Sequence, residues 1–206
     1  MANAVHVLAQ QANHPRRGSR IRVDPIRELP DVEAIKKLLE SNPRDYLLFV
    51  LGINNGLRAG DLLQLRAGSF RNVRIGDTVP ICEKKTGKAQ EIVVNKSVKS
   101  ALVRYFEAVK PNDDQYLFRS RKGDNRPITT QNVNLLVKKW CRAINLKGNY
   151  GSHTLRKTFG YVLRRKYGIA WEILSRRYNH SSPSVTRAYL GIQDDEINGV
   201  LVRCSI

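Results

Sequence analysis

Residues 71–94 read RNVRIGDTVPICEKKTGKAQEIVV, one stretch of β-branched runs in a chain otherwise patterned for helices. A single such stretch excludes the repeated strand–helix alternation of parallel-sheet folds and the evenly spaced strands of a sandwich or barrel. Gly76-Asp77 and Thr86-Gly87 punctuate it as turns, which predicts a three-stranded meander. Pro80 has no N–H to give a ladder and marks an edge or a bulge. The expected class is mainly α with a small antiparallel β-sheet, an α+β fold.

Helical spacing begins after Pro30. Asp31 is placed to cap a first helix with Val32, Ile35, Leu38 and Leu39 on one face. Pro43 opens a second helix, RDYLLFVLGINN, which is apolar on most sides and is stopped by Gly56. A short helix over 59–65 follows. Beyond the meander the periodicity predicts helices over 96–109, 130–144, 153–167, 170–178 and 182–190, with Asn95 and Thr129 or Thr130 as N-caps. In VNLLVKKWCRAI, residues Val133, Leu136, Val137, Trp140 and Ile144 share a stripe that reads as core. Residues 29–192 are expected to form the main domain. Residues 1–28, with Arg16, Arg17, Arg20, Arg22 and Arg27, read as a basic arm or linker. Residues 193–206 read as a C-terminal tail whose apolar Ile197, Val200, Leu201 and Val202 are enough to pack on its own domain.

Charge narrows the partner. Among 206 residues, 36 Lys+Arg face 18 Asp+Glu, a formal net charge of +18. A chain so far from neutrality repels itself unless a polyanion is near, and nucleic acid is the usual one. No apolar run reaches the roughly 18 residues of a membrane span. MANAVHVLAQQANHPRRGSR carries its apolar patch before its basic residues, the reverse of a secretory leader. Cys82, Cys141 and Cys204 form no CxxC pair and read as reduced thiols of a cytoplasmic protein, two of them in the core, with no structural zinc.

Four segments carry groups suited to chemistry. GLRAGDLLQL puts Arg58 directly after an apolar helix, where it either caps carbonyls or presents a fixed fork to a phosphate. Asp61, three residues on, is placed to orient it. In GSHTLRKTFGYVLRR, His153 and Arg156 share the first turn of a helix near the positive end of its dipole, an arrangement aimed at an anion, while Arg164, Arg165 and Lys166 read as a solvated face. The hairpin EKKTGKAQEIVV bears Lys84, Lys85 and Lys88, either as a solubilising edge or as a reach into a DNA groove. HSSPSVTRAYL supplies His180 and Tyr189. A tyrosine, with a pKa of about 10, attacks a phosphodiester only where cations gather on the phosphate and a neighbour takes its proton. A lone tyrosine on a late helix is ordinarily core or surface. Here two arginines, two histidines and a lysine hairpin accompany it, and no Asp/Glu cluster suited to two-metal catalysis stands in the sequence.

Taken in order, Arg58, Lys85, His153-x-x-Arg156, His180 and Tyr189 resemble the signature of the tyrosine recombinases, the phage integrase family, over about residues 28–192. GLRAGDLLQL resembles the family's first arginine box, KKTGKAQEIVV its β-hairpin lysine segment, HTLRKTF its HxLRHTF box and NHSSPSVTRAYL its GHSSxxxTxxY box. The resemblance implies a site-specific DNA recombinase or integrase in which Tyr189 attacks the scissile phosphate and forms a 3′-phosphotyrosyl link, without metal, ATP or other cofactor. It implies that Arg58, Arg156 and His180 bind phosphate oxygens and that Lys85 protonates the departing 5′ oxygen. It gives His153 proton transfer or phosphate positioning, and Asp61 a supporting place behind the arginine. The implied partner is double-stranded DNA, held by a homotetramer in which the tail of 193–206 docks on a neighbouring protomer, with a monomer when free. A type IB topoisomerase-like relaxing enzyme and a catalytically silent DNA-binding regulator on the same fold are the alternatives. The chain departs from the family pattern at Asn179 (commonly glycine), Val93 (commonly proline), Asp61 (commonly glutamate) and Lys157 (frequently histidine). Residues 1–28 are too short for the core-binding domain that integrases usually carry, so the expectation is a piece of a longer integrase or a short recombinase like the fimbrial-switch invertases.

Overall fold

The computed structural model describes residues 23–192 together with Leu201, Val202 and Cys204. The chain is mostly helical with one small sheet. Its helices are α1 (Leu29–Leu38), α2 (Pro43–Asn55), α3 (Ala59–Leu62), α4 (Lys96–Val109), α5 (Thr130–Ala143), α6 (Ser152–Tyr167), α7 (Trp171–Tyr178) and α8 (Pro183–Leu190), with strands β1 (Thr78–Cys82) and β2 (Ala89–Val93) between α3 and α4.

The helix α2 is the hub because its sequence is apolar around most of its circumference. Leu47, Leu48, Phe49, Val50 and Leu51 are all buried, and the helix packs against both α4 and α6. Each such side chain contributes about 1.5–3 kcal/mol by leaving water. Asn42 caps α2 by accepting from the Asp45 N–H (3.2 Å), and Pro43 supplies the first-turn φ. On α5 the capping residue is Thr129, which bonds the Asn132 N–H (3.1 Å) and exposes Thr130. Val133, Val137 and Trp140 are core, and the Trp140 ring meets Phe49 edge-on at 5.9 Å. A second, smaller apolar cluster joins Tyr161 of α6 to Trp171, Leu174, Tyr178, Leu190 and Ile192. The helix α6 thus carries Leu155 in the main core and Tyr161 in the second cluster, and α7 and α8 ride on it.

Several expectations are corrected. The sheet has two strands, not three, paired antiparallel from Thr78↔Val93 to Cys82↔Ala89. The run 71–77 becomes a surface turn. Its residues are largely exposed, Ile75 included, with Val73 half-buried against the core, and Asp77 closes the turn by accepting from the Arg74 N–H while its carbonyl accepts from the Val94 N–H. Val79 and Ile92, opposite one another, are buried, and Ile81 packs half-buried against the same core. Asp31 does not cap α1; with Pro30 in its first turn the helix starts at Leu29, three residues earlier than an Asp31 cap predicts, leaving Glu28 at the N-cap without a side-chain bond and Asp31 inside the first turn. Leu38 faces solvent. The helix expected over 59–65 ends at Leu62. Only Cys141 is a core thiol, pushed up to about 12 by burial, whereas Cys82 and Cys204 are exposed.

Packing also begins before residue 29. Asp24 donates its N–H to the Asn149 carbonyl (2.6 Å), Ile26 is fully buried, and the Ile26 N–H donates to Thr158 Oγ1 (2.9 Å), so residues 24–26 strap the start of α6. Most of the arm and of the tail lies outside the described residues; Leu201 and Val202, which are described, are exposed. Among the described residues no helix is long and apolar enough to cross a membrane.

Gly160 of α6 lies directly against Tyr178 of α7. A Cβ there would overlap Tyr178 Oη, which is fully buried and donates to the Arg156 carbonyl at 2.6 Å. Gly160→Ala is expected to lose about 1–3 kcal/mol by overpacking, a drop in Tm of about 5 °C in a thermal melt.

Candidate active site

The glycine that ends α2 begins the site. Gly56 has φ 61°, and a Cβ on it would overlap the Phe159 ring of α6. The close approach leaves two carbonyls at the negative end of α2, and two arginines from elsewhere cover them. Arg156 Nη1 donates to the Gly56 carbonyl (2.6 Å), while Arg177 donates to the Asn55 carbonyl from Nε (3.0 Å) and Nη2 (2.8 Å). Arg156 Nη2 also donates to the Tyr178 carbonyl (2.8 Å), and its guanidinium lies 4.5 Å from the Tyr178 ring centre. With 2% exposure, this arginine is held in one orientation.

Arg58 caps α3 with extended backbone, φ −69° and ψ 146°. Its partner is not Asp61. Arg58 Nη1 lies 2.8 Å from Oε2 of Glu83, a side chain with 0% exposure, whereas Asp61 Oδ1 accepts from the Lys84 N–H at 2.9 Å. The reason is the shortness of α3: Asp61, three residues along a one-turn helix, faces the sheet rather than the arginine, and the end of β1 brings Glu83 into the corner instead. Lys85 is exposed on the turn between β1 and β2.

His153 and Tyr189 meet across two helices. His153 Nδ1 is 3.4 Å from Tyr189 Oη, long for a hydrogen bond, and the rings are 6.5 Å apart and steeply inclined. Tyr189 also packs its ring 5.3 Å from His180 and 5.6 Å from Tyr178, and the Lys157 ammonium lies 5.2 Å from its centre. Asn179 stands before His180 with φ 53°, a left-handed conformation that asparagine tolerates and that lets this position depart from glycine. The His180 N–H then donates to the Ser175 carbonyl (3.0 Å), Nδ1 meets Thr186 Oγ1 (2.9 Å), and Thr186 Oγ1 meets Ser175 Oγ (2.8 Å). Val93, where proline is common, donates its N–H to Asn55 Oδ1 (2.8 Å), a bond that proline could not make.

The electrostatics make one consistent pattern. Burial, then Arg156 and Arg58, pull His180 down to about 4, and burial with Arg156, Arg58, Lys157 and Lys85 lowers His153. Both imidazoles are therefore neutral at pH 7. Burial raises the Tyr189 phenol while Arg156 and Arg58 oppose the rise. Burial also works to raise Glu83, but Thr86, Arg58 and Asn179 hold it lowered overall. Arg58, Lys85, Arg156 and Lys157 thus gather around one buried carboxylate, two neutral imidazoles and a phenol. Such a pocket attracts an anion.

A pH test follows. His180 titrates at 6.5 when unfolded and about 4 in the native chain, so between those values the unfolded chain binds the extra proton. That part of the stability is complete above about pH 6.5 and is lost as pH falls toward 4. His180→Gln is expected to shrink the fall in urea midpoint between neutral and acidic buffer; an unchanged fall contradicts this assignment.

Reading the sequence missed Glu83, Lys157, Arg177 and Tyr178 as parts of this site. Nothing in spacing links Glu83 to an arginine in a different element, and Lys157 stood out only as a departure in HTLRKTF. Thr186 carried a signal, being the threonine of the third box. Among the described residues no group of three or more His, Cys, Asp or Glu side chains is arranged to hold a metal ion.

Residues 28–196 match the phage integrase family, and the chain belongs to that family. It is 38% identical over 174 residues to the probable integrase/recombinase YoeC of Bacillus subtilis (strain 168), covering 84% of this chain and 92% of that relative. It is 28% identical over 176 residues to tyrosine recombinase XerC of Caldanaerobacter subterraneus subsp. tengcongensis, covering 81% of this chain and 48% of that one. Among solved structures, XerA recombinase superposes with a TM-score of 0.70 at 18% identity, over 90% of this chain and 66% of that one. XerH bound to a palindromic difH substrate in a post-cleavage complex gives a TM-score of 0.64 at 23% identity, over 83% and 50%. The chain therefore spans nearly all of YoeC but about half of XerC and of XerH.

Proposed function

We propose that the chain is a site-specific DNA recombinase that cuts and rejoins strands through a covalent 3′-phosphotyrosyl intermediate. The observation that carries this reading is the Tyr189 hydroxyl 3.4 Å from the His153 imidazole, which Arg156, Arg58, Lys157 and Lys85 surround with positive charge. Tyr189 Oη forms a bond to phosphorus and passes its proton to His153 Nδ1. The bond from phosphorus to the 5′ oxygen breaks, and Lys85 gives that oxygen a proton. Arg58 and Arg156 donate to the non-bridging oxygens, where charge builds up; one preorganised donor of this kind is worth about 10²–10³ in rate. If Thr186 donates to His180 Nδ1, the neutral ring carries its proton on Nε2 and serves as a further donor. Attack by a 5′ hydroxyl from another duplex reverses the steps, and the phosphodiester is conserved. Asp61 serves by anchoring the Lys84 amide beneath the Lys85 turn rather than by orienting Arg58.

The substrate is double-stranded DNA bound by a homotetramer, with residues 29–192 as the catalytic domain, the basic arm before it, and the tail of 193–206 on a neighbouring protomer. A lambda integrase tetramer has been solved on a Holliday junction, and the exposed Leu201 and Val202 are consistent with such a contact.

The test is capture. The chain is incubated with duplexes of randomised sequence, each nicked so that a short cleaved strand is lost, and DNA that stays on the protein after denaturation is sequenced. The expected result is one enriched site, and its joining to a second duplex distinguishes recombination from simple relaxation of supercoils. No captured DNA at any ratio of protein to duplex would overturn the proposal in favour of a silent DNA-binding protein.

A further inference from the structure

Glu83 is out of place on simple electrostatic grounds. Its carboxylate sits beside a guanidinium assigned to a phosphate, where it weakens the pull on an anion, and its side chain has 0% exposure, where an ionised group is costly to hold. Its bonds explain the placement. Oε2 touches Arg58 Nη1 at 2.8 Å and accepts from Thr86 Oγ1 at 2.6 Å. The Glu83 carbonyl accepts from the Gly87 N–H (2.8 Å), and its own N–H donates to the Lys88 carbonyl (2.9 Å), closing the turn that carries Lys85. The neighbouring Lys84 N–H is tied to Asp61 (2.9 Å). The Asn179 side chain, one residue from His180, also helps to hold this carboxylate ionised.

We infer that Glu83 is a positioning residue for leaving-group protonation: it holds the Lys85 turn at a fixed distance from the guanidinium of Arg58. This rests on the roles proposed above for those two residues. A two-stranded hairpin is a marginal platform in water, and lysine adds a flexible stem, so the ammonium is delivered only if the base of the turn is pinned. A misplacement of about 1 Å costs a catalytic group about 10²-fold. Glu83 provides that pin from the arginine that grips the same phosphate.

The test uses the duplex recovered by capture, made with an ordinary scissile phosphate and, separately, with sulfur in place of the bridging 5′ oxygen. A thiolate departs without a proton donor, whereas an alkoxide needs one. Glu83→Gln is expected to cleave the ordinary duplex about 10²-fold more slowly than wild type and the sulfur-bridged duplex within about threefold of it, the pattern expected of Lys85→Ala. Thr86→Val removes one bond to the carboxylate from an exposed turn and is expected to give the same pattern in weaker form; it decides alone if Glu83→Gln does not fold. Equal slowing on both duplexes by variants that still bind DNA, or no slowing on the ordinary one, overturns the inference. A wild-type chain that captures nothing overturns this inference together with the proposed function.

Discussion

Arg156→Ala is expected to slow DNA cleavage by about 10³-fold or more while weakening DNA binding by only a few-fold. The two quantities part because they count different things. Binding a duplex sums many cationic contacts, and a chain with 36 Lys+Arg loses one of them. The chemical step depends on donors fixed where charge develops, and Arg156 is fixed by its bonds to the Gly56 and Tyr178 carbonyls. Alanine also leaves those carbonyls unpaired, at about 1–3 kcal/mol of stability each. Arg156→Lys therefore belongs in the same experiment. It keeps the charge and part of the packing but not the planar fork, and is expected to bind DNA normally and cleave about 10²-fold more slowly. Equal losses of cleavage and binding for both variants, in matched filter-binding and cleavage assays, contradict the assignment.

Tyr189→Phe is expected to abolish the covalent adduct outright and leave DNA binding and the thermal melt close to wild type. The ring is packed among His153, Tyr178 and His180, and phenylalanine preserves those contacts. The hydroxyl meets His153 at a long 3.4 Å and bears on the Arg156 guanidinium, which keeps its bonds to the Gly56 and Tyr178 carbonyls when the hydroxyl is removed. Any structural role for Tyr189 would survive this change, and only a chemical role would vanish with it.

Much of this arrangement was legible in the sequence, for reasons that differ by element. The helices α2, α5 and α6 declare themselves because apolar spacing and end signals agree, as at Pro43, Gly56 and Thr129. The boxes around Arg58, His153 and Tyr189 are local strings, so each is readable without knowing what it meets. The third strand failed because the run 71–77 covers the core with Val73 alone and leaves Ile75 in solvent, and burial is a property of the neighbours rather than of the string. Asp61 was assigned to Arg58 by helical spacing, but a helix of one turn does not carry that rule far enough. Glu83, Arg177 and Tyr178 were invisible as parts of the site, since each acts by reaching a distant segment: Arg58, Asn55 and the Arg156 carbonyl respectively. The departures in the boxes became intelligible only with backbone angles and partners, Asn179 through its positive φ and Val93 through the N–H it gives Asn55.

One measurement addresses the central claim most directly. The wild-type chain is trapped on the nicked duplex, the complex is denatured and digested with protease and nuclease, and the peptide that carries a nucleotide is fragmented by mass spectrometry. A nucleotide linked through its 3′ phosphate to Tyr189 is the predicted result. A linkage to any other side chain, or a nucleotide attached through its 5′ end, contradicts the account.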